Sequence, residues 1–212
     1  MEIIKKILLE NKAWAKSRLD INPNYFEKMA KDQNPTFLWI GCADSRVPPA
    51  EITNTHPGDM FVHRNIANLV VHTDSNLLSV MQYAVEALKI PHIIVCGHYN
   101  CGGVRAALSH QSLGLIDNWI RNIKDVVYLN RAELSQIDNE TDRVNRLVEL
   151  NVIHQTRNIA HSSIIQKAWR ERGEYPIIHG WVYDLNCGEL KILNTIKASD
   201  VLDPEYFYEF QS

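Results

Sequence analysis

The chain alternates between short apolar runs and longer stretches in which apolar residues recur with helical spacing. The runs at 36–41, 59–65 and 92–97 have the length of β-strands and are followed by turn residues. A helical stripe separates the second run from the third, and Thr73 or Asp74 precedes it as a candidate N-cap. Strands that alternate with helices in this way predict an α/β domain with a mainly parallel sheet.

The two ends of the chain extend this pattern. Residues 1–20 have helical spacing, which the segment 21–26 with its proline interrupts. Residues 114–172 are predicted to be mostly helical, and Gly173 stands where a helix would end. A strand, a turn at 186–188 and a second strand are predicted to follow.

Together these elements predict a single domain over residues 1–212. Its core is a mainly parallel central sheet of about four parallel strands plus an antiparallel edge strand, flanked by helices. Residues 1–33 are predicted to form an N-terminal helical arm. Because the interruption separates this arm from the rest of the chain, we expect it to pack on a partner subunit.

Composition narrows the class of protein. Apolar residues make up 45% and charged residues 22% of the chain, as in ordinary globular proteins. The net charge of −3 lacks the basic excess of a protein that binds nucleic acid. The sequence has no run of about 18 apolar residues, and its amphipathic start lacks the apolar block of a signal peptide. We therefore expect a cytoplasmic protein that binds neither nucleic acid nor membranes.

The first candidate chemistry follows the run at 36–41. Cys42, Asp44 and Arg46 are spaced one residue apart, so an extended backbone would point all three side chains the same way. A strand that only packs in a core has no need to end in a thiol, an acid and a base. This segment therefore delivers three reactive groups to one place.

The second candidate follows the run at 92–97. His98 and Cys101 have the His-x2-Cys spacing that brings two ligands to one metal through a tight turn. Gly102 and Gly103 come next and allow the backbone to approach closely before a helix begins. Since open α/β sheets bind ligands at the carboxyl ends of their strands, we expect the two segments to meet there.

Joined in this way, Cys42, His98 and Cys101 supply two thiolates and one imidazole, a donor set typical of zinc. One Zn²⁺ per chain is the predicted cofactor, with its fourth position open. Asp44 either takes that position and shuts the site, or pairs with Arg46 and accepts a hydrogen bond from a bound water. Because two thiolates make zinc a weaker Lewis acid than three imidazoles do, its water should ionise less readily.

The combined pattern closely resembles the β-class carbonic anhydrases, and their bacterial members in particular. The motifs that carry the resemblance are CADSR (42–46), FVHRNIAN (61–68), HYNCGG (98–103) and HGWVYD (179–184). The resemblance implies a zinc lyase that converts CO₂ reversibly to bicarbonate and a proton through zinc-bound hydroxide. It also implies a homodimer or a dimer of dimers.

The resemblance implies roles for individual residues and a regulated subtype. Asp44 and Arg46 would be catalytic, with Asp44 on zinc in a closed, inactive state and on Arg46 in the active state. Members of the bicarbonate-inhibited, closed-site (type II) subgroup hold bicarbonate with a tryptophan, an arginine and a tyrosine. The matching positions are Trp39, Arg64 and Tyr183, whose N–H and O–H groups suit an oxyanion.

Two features are expected to complete the pocket. Gly102 and Gly103 present backbone amides at a helix start, which would favour an anionic product. Tyr83 either lines the apolar side of the pocket or belongs to the core, since its position in a helical stripe fits both.

Other functions stay open from the sequence. The same fold could hydrolyse CS₂ or COS. A non-catalytic zinc-binding regulatory module would use Asp44 as a permanent fourth ligand, but such a site has no need of Arg46 beside the acid. A thiol-redox protein would use Cys96 and Cys101, whose Cys-x4-Cys spacing differs from the Cys-x-x-Cys of thioredoxin-like sites.

Overall fold

The computed structural model of the chain describes residues 2–200 and 203–210. Its strands coincide with the predicted apolar runs and with the two strands predicted near the carboxyl end. They are β1 (Phe37–Cys42), β2 (Met60–Asn65), β3 (His92–His98), β4 (Ile177–Asp184) and β5 (Glu189–Ile196).

Helices occupy most of the remaining chain. In chain order they are α1 (Glu2–Ile21), α2 (Tyr25–Lys31), α3 (Pro49–Ile52), α4 (Ser75–Gln82), α5 (Gly102–Leu108), α6 (Ile116–Leu129), α7 (Arg131–Leu134), α8 (Glu140–Ala160) and α9 (Ser163–Arg172). Asp74 is the N-cap of α4, because its carboxylate accepts hydrogen bonds from the backbone N–H groups of Asn76 and Leu77. Along the part of the chain that the structure describes, no helix is both long and apolar enough to cross a bilayer.

The described strands form one sheet in the order β2-β1-β3-β4-β5. The pairs among β2, β1, β3 and β4 are parallel, and β5 runs antiparallel to β4. The predicted fold class is thereby confirmed. From β1 the chain reaches β2 on one side and then crosses back to β3 on the other, so the strand order reverses at β1. In open α/β sheets, ligands bind outside the carboxyl ends of the strands at such a reversal.

Helix α8 packs closely across β3 and β4. An added Cβ at Gly97 would press on the side chains of Val148 and Val152, and one at Gly180 would press on Val152 and Thr156. The two glycines therefore let the helix lie directly on the strands. Since such packing leaves no free volume, it fixes where the polar side chains of α8 meet the end of the sheet.

The amino-terminal arm is a compact unit of its own. The chain divides between Asn34 and Pro35, one residue past the predicted end of the arm, and Met1 lies outside the described residues. Within this unit the ring of Trp14 packs edge-on against those of Tyr25 and Phe26. Helix α1 has no buried residue. Its apolar stripe is 58–70% exposed and comprises Ile3, Ile4, Ile7 and Leu8.

Candidate metal centre

The two predicted ligand segments end at the same edge of the sheet. Cys42 is the last residue of β1 and His98 the last of β3, while Cys101 immediately precedes α5. Because β1 and β3 are parallel neighbours, their carboxyl ends lie side by side. The ligand atoms of the three residues lie within 4.8 Å of one another, and all three residues are buried. The structure therefore brings together the donors that the sequence singled out.

The geometry of these donors fits a zinc ion. The Sγ atoms of Cys42 and Cys101 are 3.9 Å apart, and two thiolates on a tetrahedral zinc are about 3.8 Å apart. His98 Nδ1 lies 3.0 Å from the carbonyl oxygen of Tyr99, which assigns the ring proton to Nδ1. The other ring nitrogen, Nε2, is buried and has no hydrogen-bond partner among the described residues. The free imidazole nitrogen and the two sulfurs together form a donor set that zinc prefers.

The two thiols are close enough for one to donate a hydrogen bond to the other. A hydrogen bond from Cys101 is the largest effect on the pKa of Cys42 and lowers it, while burial opposes the shift. Smaller downward effects come from His98 and from the backbone N–H groups of Asp44 and Ala67. The same pairing, together with burial, raises the pKa of Cys101. Loss of the second proton therefore calls for a positive charge between the sulfurs, which a divalent metal supplies.

Asp44 lies beside these donors but is held by Arg46. Its Oδ1 accepts from Arg46 Nε at 2.9 Å and from the Arg46 backbone N–H at 3.0 Å, and its Oδ2 accepts from Nη2 at 2.7 Å. The bonds from the Arg46 side chain are the main reason that the pKa of Asp44 lies well below its usual range. The Oδ2 atom is 3.7 Å from His98 Nε2. The carboxylate thus adjoins the metal position without being one of the three grouped donors.

Arg64 ties down the loop that carries Asp44. Its Nε donates to the carbonyl oxygen of Cys42 at 2.9 Å. Its Nη2 donates to the carbonyl oxygens of Asp44 at 2.5 Å and Val47 at 3.2 Å. One guanidinium therefore holds three backbone carbonyls of the loop after β1.

Trp39 and Tyr183 belong to one apolar cluster. Trp39 is fully buried, and its Nε1 has no hydrogen-bond partner among the described residues. Gly41 makes room for the indole, because an added Cβ there would overlap Trp39 Nε1. Of the three residues matched to a bicarbonate site, the structure places these two in one cluster, while the guanidinium of Arg64 contacts the loop carbonyls.

Comparisons with known proteins agree with this geometry. Residues 37–190 match the family model described as carbonic anhydrase. A carbonic anhydrase of Emericella nidulans is 50% identical over 189 residues, which cover 89% of this chain and 82% of that protein. A tetrameric β-carbonic anhydrase of the filamentous ascomycete Sordaria macrospora is 41% identical, with a TM-score of 0.88 over 92% of this chain and 100% of that one. The chain belongs to the β-class carbonic anhydrases.

A further solved structure supports the class but not its finer divisions. The β-carbonic anhydrase of Coccomyxa, in complex with acetazolamide, is 41% identical, with a TM-score of 0.86 over 90% of this chain and 86% of that one. The relatives from Emericella nidulans and Sordaria macrospora are fungal, so the expected bacterial affiliation has no support. Assignment to the closed-site subgroup rests on Trp39, Arg64 and Tyr183, and it stays a prediction.

Only one of the two glycines after Cys101 is needed for close approach in this carbonic anhydrase. An added Cβ at Gly103 would overlap the side chain of Ile66 and press on Ala67, whereas one at Gly102 would meet no atom within 4 Å. The close approach predicted for the pair therefore holds for Gly103 alone. Pairing with Cys42 and burial raise the pKa of Cys101, and the backbone N–H groups of Val104 and Gly103 oppose that shift, so these amides act on a candidate ligand.

Two other candidates lie outside the donor group. Tyr83, directly after α4, is 49% exposed and packs against Phe61 with ring centroids 5.9 Å apart, and its pocket role stays a prediction. Cys96 is fully buried in β3, where its Sγ donates to the carbonyl of Gly97 at 3.3 Å and burial raises its pKa. A buried thiol with a raised pKa is a poor nucleophile, which argues against a redox pair with Cys101.

Sequence reasoning missed the side chains that hold the turn between His98 and Cys101. The hydroxyl of Tyr99 donates to Glu149 at 2.6 Å, and the side chain of Asn145 accepts from the backbone N–H of Asn100 at 3.0 Å. Both partners lie on α8, 50 and 45 residues further along the chain. In the sequence Asn145 and Glu149 lie one helical turn apart, but α8 carries many other polar residues and no local pattern marks these two.

Removing one donor should sharply reduce the amount of metal that the chain retains. We expect the dialysed wild-type chain to hold about one zinc ion and Cys42→Ser to hold roughly tenfold less, because a serine hydroxyl stays protonated and is a weak zinc ligand. Inductively coupled plasma mass spectrometry measures the ratio. Cys96→Ala is the matched control, since it removes another buried thiol and should keep its zinc. Full zinc in Cys42→Ser, or lost zinc in folded Cys96→Ala, would contradict the donor assignment.

Proposed function

We propose that this chain catalyses the reversible hydration of CO₂ to bicarbonate and a proton, at a zinc ion held by Cys42, His98 and Cys101. The observation that carries the proposal is the convergence of three buried donors within 4.8 Å, beside a carboxylate that an arginine holds. Membership of the β-class carbonic anhydrases supports the same reaction. Zinc in such a site acts as a Lewis acid and lowers the pKa of a coordinated water.

In the active state, Arg46 keeps Asp44 off the metal position. The guanidinium fork bonds both carboxylate oxygens, and this bidentate pairing fixes their orientation. Because the pKa of Asp44 is held low, chiefly by Arg46, the carboxylate stays ionised and accepts hydrogen bonds. Its Oδ2 lies 3.7 Å from His98 Nε2, beside the atoms that would hold zinc. With zinc bound, Asp44 would accept a hydrogen bond from a coordinated water and orient it.

In the closed state, Asp44 itself takes the fourth position. The pairing with Arg46 is exposed on one side, since the Arg46 side chain is 56% accessible, so solvent can replace these bonds when the loop moves. With zinc bound, hydroxide ion and the Asp44 carboxylate would compete to coordinate it. The population of the closed state should therefore fall as the pH rises.

Bicarbonate favours the closed state because it binds to the guanidinium of Arg64. This guanidinium holds the carbonyls of Cys42, Asp44 and Val47, and an anion bound to it competes for the same N–H donors. Loss of those bonds frees the loop and with it the pairing of Asp44 with Arg46. The anion shifts the equilibrium because it binds the closed arrangement more tightly than the open one.

Trp39 and Tyr183 complete the proposed bicarbonate site. A buried donor without a partner costs about 1–3 kcal/mol, and Trp39 Nε1 has none among the described residues. An oxyanion in contact with the indole N–H would remove that cost. Tyr183 is half-buried in the same cluster and offers a neutral hydroxyl.

The chain is proposed to work as a homodimer or a dimer of dimers. The apolar stripe in the first half of α1 is exposed at every position, which is typical of a surface that a second copy covers. Tetrameric assembly of the Sordaria macrospora relative supports the same proposal. We place the arm on the partner subunit.

Loss of the hydrogen bonds from Arg46 to Asp44 should lower activity most at neutral pH. In Arg46→Ala the carboxylate is free to take the metal position, so we expect kcat/KM to fall roughly tenfold near pH 7.5 and to recover toward pH 9.5. Stopped-flow CO₂ hydration measures the profile. Arg105→Ala is the matched control, because it removes another half-exposed arginine, one that pairs with Glu140 at 3.0 Å. An equal loss at every pH would contradict this role of Arg46.

Bicarbonate should inhibit the wild-type chain most strongly at neutral pH, and Trp39→Phe should relieve the inhibition. Phenylalanine keeps the aromatic ring but removes the N–H donor. The same assay is run with bicarbonate and with chloride at equal ionic strength. Trp181→Phe is the matched control, since its Nε1 is also buried without a partner among the described residues. Equal inhibition of wild type and Trp39→Phe would eliminate the bicarbonate site and leave the zinc centre unaffected.

Charges placed on the apolar stripe of α1 should reduce the size of the assembly. We expect the double variant Ile4→Lys, Leu8→Lys to sediment as a smaller species, because a lysine ammonium is costly to bury without a partner. Leu9→Lys, Ala13→Lys adds the same charge on another side of the helix and serves as the control. Sedimentation velocity measures both. An unchanged assembly in the first variant would argue against the placement of the arm.

A further inference from the structure

Two amide side chains are buried on the inner side of α8. Asn151 and Gln155, one helical turn apart, are 1% and 2% exposed. A buried amide is costly unless it is hydrogen-bonded, whereas an apolar side chain at either position would carry no such cost. The bonds that these amides make therefore indicate what they do.

Both amides bind the backbone of the loop that follows β2. Asn151 Nδ2 donates to the carbonyl of Ala67 at 3.1 Å, and Gln155 Oε1 accepts from the backbone N–H of Val70 at 2.8 Å. Gln155 Nε2 donates to Asn151 Oδ1 at 2.9 Å, which fixes both amide orientations. Asn158 Nδ2 adds a bond to the carbonyl of Val70 at 3.0 Å. The helix thus satisfies the polar backbone of a loop that lies 84 to 88 residues earlier in the chain.

This loop, residues 66–70, has a backbone that needs support. Ala67 and Asn68 have φ values of +63° and +50°, which residues with a Cβ adopt rarely. Asn65 anchors the loop from the other side, where its side chain donates to the carbonyl of Leu69 and accepts from the N–H of Leu69, each at 2.8 Å. A strained backbone of this kind persists only where its surroundings determine it.

The 66–70 loop reaches both sulfur ligands. Ala67 is buried in one cluster with Cys42 and Cys101. The pKa of Cys42 is lowered chiefly by Cys101, and the backbone N–H of Ala67 adds to the shift. Ile66 and Ala67 pack against Gly103, two residues after Cys101, so closely that no Cβ fits there. An N–H directed at a thiolate stabilises its negative charge and orients the sulfur.

We infer that Asn151 and Gln155 are positioning residues of the metal centre, which hold the 66–70 loop so that Ala67 directs its N–H at the Cys42 sulfur. The inference rests on the proposed zinc site. It adds that two side chains of α8, distant in the sequence, stabilise that site. The two amides act through the backbone of the loop. We therefore expect the two amides to affect the Kd for zinc and the electronic environment of the Cys42 sulfur.

The test replaces each amide by an apolar side chain of similar size. In Asn151→Leu and in Gln155→Met the loop loses hydrogen bonds, so we expect the Kd for zinc to rise about tenfold in competition with a chromophoric chelator. In the cobalt-substituted protein, the thiolate-to-cobalt charge-transfer band should shift, because the Cys42 sulfur loses its N–H donor. Both measurements use the full-length chain.

Thr156→Val is the matched control on the same helix. The hydroxyl of Thr156 accepts from Asn194 Nδ2 at 2.8 Å, so its removal weakens the packing of α8 without touching the 66–70 loop. We expect the thermal midpoint to fall in all three variants, and the zinc Kd and the cobalt band to change only in the amide variants. An unchanged Kd and band in both amide variants, or an equal rise of Kd in Thr156→Val, would overturn the inference.

The same experiment separates this inference from the proposed function. A wild-type chain that binds no zinc overturns the proposed function. A wild-type chain that binds one zinc ion no more tightly than both amide variants overturns the inference alone. Should neither apolar variant fold, Asn151→Asp carries the test, because it keeps the shape of the side chain and removes the donor to the Ala67 carbonyl.

Discussion

Two buried sulfur atoms 3.9 Å apart are the constraint on which the rest of the structure depends. Thiols at this distance can share a proton, but two thiolates repel strongly in a medium of low dielectric. A dication between them removes the repulsion, and a free imidazole nitrogen beside them adds a third ligand. The fold must therefore hold Cys42, His98 and Cys101 at a fixed spacing and direct N–H donors at the sulfurs.

A parallel sheet meets the first of these demands, and long-range side-chain bonds meet the second. The neighbouring ends of β1 and β3 place one ligand each at the point where the strand order reverses. Three backbone segments then surround the metal position: the loop after β1, the 66–70 loop and the turn before α5. Arg64 holds the first of them, and polar side chains of α8 hold the other two. The centre is thus an assembly of loops, each supported from outside its own motif.

Asp44 lies beside the donor group and has two available partners. In this structure Arg46 holds it with two side-chain bonds, and the metal position lies close enough for a loop movement to bring them together. The proposed switch follows from this competition, and Arg64 links it to anions because it binds the same loop. Regulation and catalysis would then share one short segment of the chain.

The sequence alone was enough to predict the sheet, since period and turn residues are local properties of the chain. It also predicted that the three candidate donors meet, because Cys42 ends one strand and the His-x2-Cys spacing follows another, and parallel pairing brings the two strand ends together. Only the tertiary structure decided that Asp44 rests on Arg46, that Gly103 and not Gly102 needs to be glycine, and that buried amides of α8 support Ala67. The bonds from α8 to the 66–70 loop join residues 84 to 88 positions apart. They depend on where α8 packs against β3 and β4, and no local pattern of residues encodes that position.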